Sequence, residues 1–210
     1  MELEVSKIFM ALLVLINPLS AVPIFIGLTP HSSQAERKKI AKLASITIAA
    51  VVCLFSLVGQ GLLSFLGISI GSFQVAGGLL VLMIALAMMN AQPTPTKTTD
   101  EERSEAESKA NIAVVPLAIP LMSGPGAIST VIIYATTAHT WLDVLKIIIS
   151  GVMVAIVCYG ALNMATPISR VLGKTGINIV NRVMGMLLAA LSVEIMVDGL
   201  YRLFPHLGGH

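Results

Sequence analysis

INPLSAVPI, residues 16–24, lies in the middle of an apolar run that extends from Ile8 to Leu28. Proline removes a backbone donor, and its ring clashes with the preceding helical turn. A helix whose sole task is to cross oil has no use for an Asn and two prolines at its centre. Pro18 and Pro23 therefore predict a span broken near its middle, with Asn17 and Ser20 beside the break.

Composition says what surrounds that break. Of the 210 residues, 56% are hydrophobic and 11% are charged, where a soluble domain carries about 25% charged residues. The mean hydropathy is +0.90. So few charges do not cover a globular surface, and the chain reads as an integral membrane protein. The net charge is only +2, and no basic patch carries interleaved aromatics, which excludes nucleic acid as an expected partner. Cys53 and Cys158 sit in separate apolar runs and read as small core residues. The four histidines lie at segment ends and at the C-terminus, with no metal-ligand spacing, so neither metal nor cofactor is expected. The opening MELEVSK is acidic where a secretory signal would be basic, so no cleaved signal is expected.

A membrane helix needs about 20 apolar residues. The candidates are 6–29, 40–65, 70–89, 111–136, 141–165 and 180–201. Loops after the first, third and fifth spans hold ten Lys and Arg, and the opposite side holds Lys7, Lys146 and Arg202. The positive-inside rule then places both termini outside the cytoplasm. Leaving out the mixed loop 90–110 reduces the contrast to seven against three, without changing its sign. That loop, with the sequence AQPTPTKTTDEERSEAESKA over residues 91–110, reads as a polar cytoplasmic linker.

The linker divides a repeat. In the fourth span, Pro120-Leu121 and Pro125 match Pro18-Leu19 and Pro23 at one constant offset. Further on, Gly67-Ile68-Ser69-Ile70 is matched by Gly176-Ile177-Asn178-Ile179. Each half, 1–89 and 111–210, contains three spans, and because three is odd the second half enters from the opposite side. The expected fold is all-α: one membrane domain of six transmembrane helices in two inverted three-helix repeats, with helices 1 and 4 discontinuous.

In hydrocarbon, freed backbone groups survive only where protein or a polar cavity satisfies them. Paired broken helices in an inverted repeat point to a midplane binding site. Amides at the start of a half-helix attract a carboxylate, and carbonyls at the end of one attract an ammonium or a cation. A zwitterionic amino acid offers both groups. Asn17, Ser20, Ser123, Ser129 and Thr130 sit on or beside the breaks, where they either donate to a carboxylate or satisfy freed carbonyls. Gly124 and Gly126 leave room for a small side chain at most, or pack helices closely.

NPLSAVPIF, VPLAIPLMSGPGAIS, GISIGSFQVAGGLLV and GINIVNRVMGMLL are spread over nearly the whole chain. Together they resemble the MarC/SnatA family of bacterial and archaeal inner-membrane proteins. The resemblance implies transport of small neutral amino acids of the glycine and alanine class, coupled to sodium or protons. It places the substrate site on Asn17, Pro18, Ser20 and Pro23 in one half, and on Pro120, Ser123, Gly124, Pro125, Gly126 and Ser129 in the other.

Glu194 is the one carboxylate well inside a span, and such a group is a functional candidate by default. It is expected to be buried and to couple transport to protons, or else to bond neighbouring helices together. Asp198 and Arg202 follow at four-residue steps and are expected to pair. Arg182 is either an interfacial anchor or a gate. Asn178 and Asn181 are expected to cap the sixth helix. Gly77, Gly78 and Gly185 are expected at tight helix crossings.

No intramembrane Ser–His pair, aspartate pair or H-E-x-x-H motif is present, and no nucleotide-binding loop. The expectation is a secondary transporter and not an enzyme. A channel or facilitator, or an exporter of another small metabolite, is the alternative. Oligomerisation is compatible with the sequence but not specified by it.

Overall fold

The computed structural model describes residues 4–29, 32–90, 122 and 124–205, and the elements within them are helical. The helices are α1 (Val5–Ile16), α2 (Pro18–Leu28), α3 (Gln34–Phe65), α4 (Ile70–Met89), α5 (Pro125–Thr137), α6 (Trp141–Asn163) and α7 (Ala165–Leu203). Among the described residues, five stretches are long and apolar enough to cross a membrane: Val5–Leu28, Gln34–Phe65, Ile70–Met89, Trp141–Asn163 and Thr175–Leu203. The linker 91–110 and the predicted first part of the fourth span, including Pro120, lie outside the described residues, as does Ser123.

Local chemistry explains the boundaries. α3 starts a turn and a half before the predicted span because Ser33 and Glu36 form a capping box there. Hydropathy marks where lipid begins, whereas a cap marks where the helix begins. Thr140 and Asp143 build the same device at the start of α6, the corresponding span of the other half. Between α3 and α4 the chain turns at Gly67, whose φ of 68° suits a residue without a Cβ. The amides of Ile68 and Gly67 bond back to the carbonyls of Leu63 and Ser64 in a Schellman arrangement. α7 is interrupted at Gly173 (φ 59°, ψ −176°). Its membrane limb therefore begins at Thr175, earlier than the predicted residue 180.

Of these five stretches the broken span α1–α2 is the most buried, with 56% of its apolar window inside the bundle against 28% for α3. α3 packs on α6, and α4 on α7. α5 of the second half packs against α3 and α4, while α2 of the first half packs against α6 and α7. The outer faces of α3, α6 and α7 expose Leu54, Leu57, Ile156 and Met186, as surfaces turned to acyl chains should.

The α4–α7 crossing is backbone on backbone. A Cβ at Gly71 would lie 2.9 Å from the Gly199 carbonyl oxygen, and one at Gly199 would lie 2.8 Å from that of Gly71. The approach recurs a heptad further along, where Gly78 faces the Ser192 carbonyl at 2.9 Å, and again where Gly185 faces that of Ala85 at 2.9 Å. Gly78 and Gly185 thus occupy a crossing, as expected. Gly77 faces another helix, and a Cβ added there would lie 3.0 Å from Ser129 Cβ of α5.

Candidate functional site

Asn17 ends α1 and starts α2. Its backbone is left-handed (φ 42°, ψ 71°), a region that Asn enters more readily than most side chains. Pro18 forces the preceding residue out of the helical region, and at the first position of α2 its missing N–H costs no helical bond. Asn17 Oδ1 accepts from the Ser20 amide at 3.3 Å and so caps α2. Pro23 does not break the chain: α2 continues through it, and its ring is exposed. In the other half the described break is at Gly124-Pro125, where Gly124 (ψ 177°) precedes α5. The matched proline pairs are therefore used differently, the first opening α2 and the second opening α5.

The two breaks meet at a cavity of about 80 Å³. Asn17, Ser20 and Ala21 contribute from one side, Met122, Gly124, Gly126 and Ala127 from the other, and Ile84 and Met88 of α4 close it. Among the described residues, no charged side chain lines it. A water needs about 15 Å³ of probe-occupied space, so the cavity holds roughly five atoms of water size. The first turns of α2 and α5 both reach it, bringing two positive helix ends to one place. α1 ends there too, with its negative end. Because Gly124 has no side-chain acceptor, the first amides of α5 receive no cap from it. A Cβ at Gly126 would stand 3.0 Å from Ile84 Cδ1.

Asn181 joins this site, although a capping role was expected of it. α7 is already helical there, so no cap is needed. Asn181 Oδ1 accepts from Ser20 Oγ at 2.6 Å and from Asn17 Nδ2 at 3.5 Å, the second bond being much the weaker. The sequence did carry a signal: an Asn inside an apolar helix favours non-helical bonding and needs a partner. Asn178 is exposed.

A second cavity, about 640 Å³, opens at the end of the bundle where α1 begins and α7 ends. Lys7, Met10, Ala11 and Val14 face it from α1, and Thr130, Ile133, Tyr134 and Thr137 from α5. Each set follows the helical three-four spacing of a single face. Thr130 is one turn from Gly126 and Val14 is one turn from Pro18, so this vestibule lies directly above the break cavity. Gln74, His139, Glu194, Asp198 and Arg202 add polar groups to its wall, and Leu187, Leu191 and Ile195 of α7 add apolar ones. Glu194 is exposed to this space, not buried in hydrocarbon as expected. Asp198 and Arg202 do not pair with each other as expected; the ion pairs among the described residues are Lys7–Glu4 and Lys146–Asp143. Arg182 is exposed and lines neither cavity. Ser129 is buried against Gly77.

At the other end, Arg37 Nε and Nη2 donate to the Thr29 carbonyl at 3.1 and 2.7 Å. The last turn of α2 is thereby tied to α3, with a cation at the negative end of the helix. Beyond the break, buried Phe25 lines a recess together with Arg37, Lys38 and Asn163.

A helical bundle of this kind, with apolar spans, lipid-facing outer surfaces and an interrupted, buried central span, is a polytopic integral membrane protein. The chain belongs to the MarC family of integral membrane proteins, which it matches over residues 3–204. It is similar to the UPF0056 membrane protein YhcE of Escherichia coli (strain K12), at 39% identity over 96% of this chain and 94% of the relative. A UPF0056 membrane protein of Aquifex aeolicus is 38% identical over 95% and 94%, and one of Pyrococcus abyssi 35% identical over 94% and 96%. These names specify no substrate. No solved structure matches significantly.

Proposed function

We propose that this protein is a secondary transporter of small neutral amino acids, of the glycine and alanine class, working by alternating access across the inner membrane. The observation that carries the reading is the 80 Å³ cavity, uncharged among the described residues, where two half-helix N-termini meet the C-terminus of a third. A ligand with net charge would be left uncompensated there. A zwitterion satisfies both kinds of helix end, its carboxylate on the amides of α5 and its ammonium on the last carbonyls of α1. The volume limits the side chain to hydrogen or methyl.

The exchange of packing partners, α5 with α3 and α4 and α2 with α6 and α7, supports two inverted three-helix repeats. With both termini outside the cytoplasm, the vestibule faces outward and Phe25 with the Arg37–Thr29 bond closes the inner side. The chain acts without catalysis or a bound cofactor, and its partners are the amino acid, lipid and a coupling sodium or proton.

Counterflow tests this. Proteoliposomes loaded with unlabelled alanine are expected to accumulate external labelled glycine or alanine above protein-free controls. Absence of accumulation with folded protein would reject the reading, and uptake without exchange would favour a channel. Glu194 is the proposed coupling group, sharing its wall of the vestibule with Asp198 and Arg202 and facing Lys7, Tyr134 and His139 across it. Glu194→Gln is expected to flatten the dependence of counterflow on external pH; an unchanged profile would remove Glu194 from coupling.

A further inference from the structure

The wall of the vestibule holds two polar atoms that the packing leaves unsatisfied. Gln74 is 2% exposed and Thr130 is 1% exposed. Gln74 Oε1 and Thr130 Oγ1 are sealed from water, and neither has a hydrogen-bond partner among the described residues. Elsewhere in the bundle, helical hydroxyls return to the carbonyl three or four residues back, as at Ser45, Ser56, Thr136 and Thr137. Thr136 and Thr137 share α5 with Thr130, so the helix itself does not forbid that bond. Unpartnered buried acceptors are costly and rare, and where they persist they mark a place that another group is meant to fill.

We propose that Thr130, one turn above the break cavity, and Gln74, on the same vestibule wall, form a cation site that accepts a monovalent metal ion or the ammonium group of the substrate. The donors are hard, neutral oxygens, which suit an ammonium or an alkali cation and not a soft metal. The charges around the vestibule include Lys7 and Arg202 against Glu194 and Asp198. These cancel, so nothing there favours a divalent ion over a monovalent one. The two orphaned oxygens replace part of the cation's hydration shell. The site rests on the transport reading for its purpose, though not for its chemistry.

The test is thermal melting of the full-length purified protein in detergent, at constant ionic strength. Sodium chloride, potassium chloride and choline chloride are compared, then alanine and ethylammonium in choline. Wild type is expected to melt higher with an alkali cation, or with alanine and ethylammonium, than in choline alone, because a ligand of the folded state stabilises it. A shift with the alkali cation alone assigns an ion site, and a shift with ethylammonium and alanine assigns the substrate's ammonium. Thr130→Val and Gln74→Leu are expected to abolish the shift, while Thr130→Ser keeps it. In choline alone, Thr130→Val is expected to melt no lower than wild type, since it removes a hydroxyl that has no partner. Absence of any shift in wild type, a shift undiminished in both variants, or a clear fall for Thr130→Val in choline would overturn the site. A shift lost in the variants of a protein that shows no counterflow would keep the cation site and reject the transporter. Robust counterflow with no shift would do the reverse.

Discussion

Asn17→Ala is expected to eliminate counterflow and to destabilise the protein by about 2–3 kcal/mol. Two losses combine. Alanine at φ 42° carries the left-handed strain, about 1–2 kcal/mol for a residue with a Cβ. The cap on the Ser20 amide is also lost, at about 1 kcal/mol. Asn17→Gly separates geometry from chemistry, because glycine takes the same backbone without strain and a glycine cap costs only a few tenths of a kcal/mol. Melting should therefore rank wild type, then Gly, then Ala. Transport should be lost in both variants if the amide touches substrate. Counterflow retained in Asn17→Gly would assign Asn17 a purely structural role at the break. Asn181→Ala, which removes the acceptor of the 2.6 Å bond from Ser20, is expected to follow the transport result without the backbone strain.

Gly199→Ala is expected to destabilise the bundle by roughly 1–3 kcal/mol, the usual range for overpacking, and Gly71→Ala similarly. Intrinsic helix propensity favours alanine over glycine by up to about 1 kcal/mol, so the expected sign opposes propensity. The reason is that the new Cβ at residue 199 would meet the Gly71 carbonyl oxygen at 2.8 Å. That atom belongs to backbone and cannot rotate away, so α4 and α7 must separate. Gly160→Ala is the control, because a Cβ there meets nothing within 4 Å. It should melt as high as wild type or higher. Equal stability of Gly199→Ala and wild type would show that α4 and α7 can part at little cost.

Much of the site is legible in the residues alone. Asn17-Pro18 is a chemical instruction confined to two neighbours: proline expels its predecessor from the helical region, and asparagine tolerates the conformation left to it. The same holds for Gly124-Pro125. Glu194 shows where such reading stops. Its depth along the helix follows from counting residues, but its exposure depends on a cavity walled by other helices, and a vestibule wall stands where burial was expected. Asn181 departs from its expected capping role for a related reason. The separation of Asn181 and Ser20 spans most of the chain, and no local pattern reports it. Gln74 and Thr130 each look ordinary until neither finds a partner.

By itself the sequence determined the membrane class, the apolar stretches, the positions of the breaks and the residue types beside them. These follow from transfer free energy and from backbone sterics, both of which act within a few residues. The tertiary structure decided which breaks share a cavity, how large it is, and which helix supplies Asn181. It also decided which glycines stand where backbones touch and where charged side chains find water. Those properties depend on contacts between residues distant in the chain, and packing alone selects them.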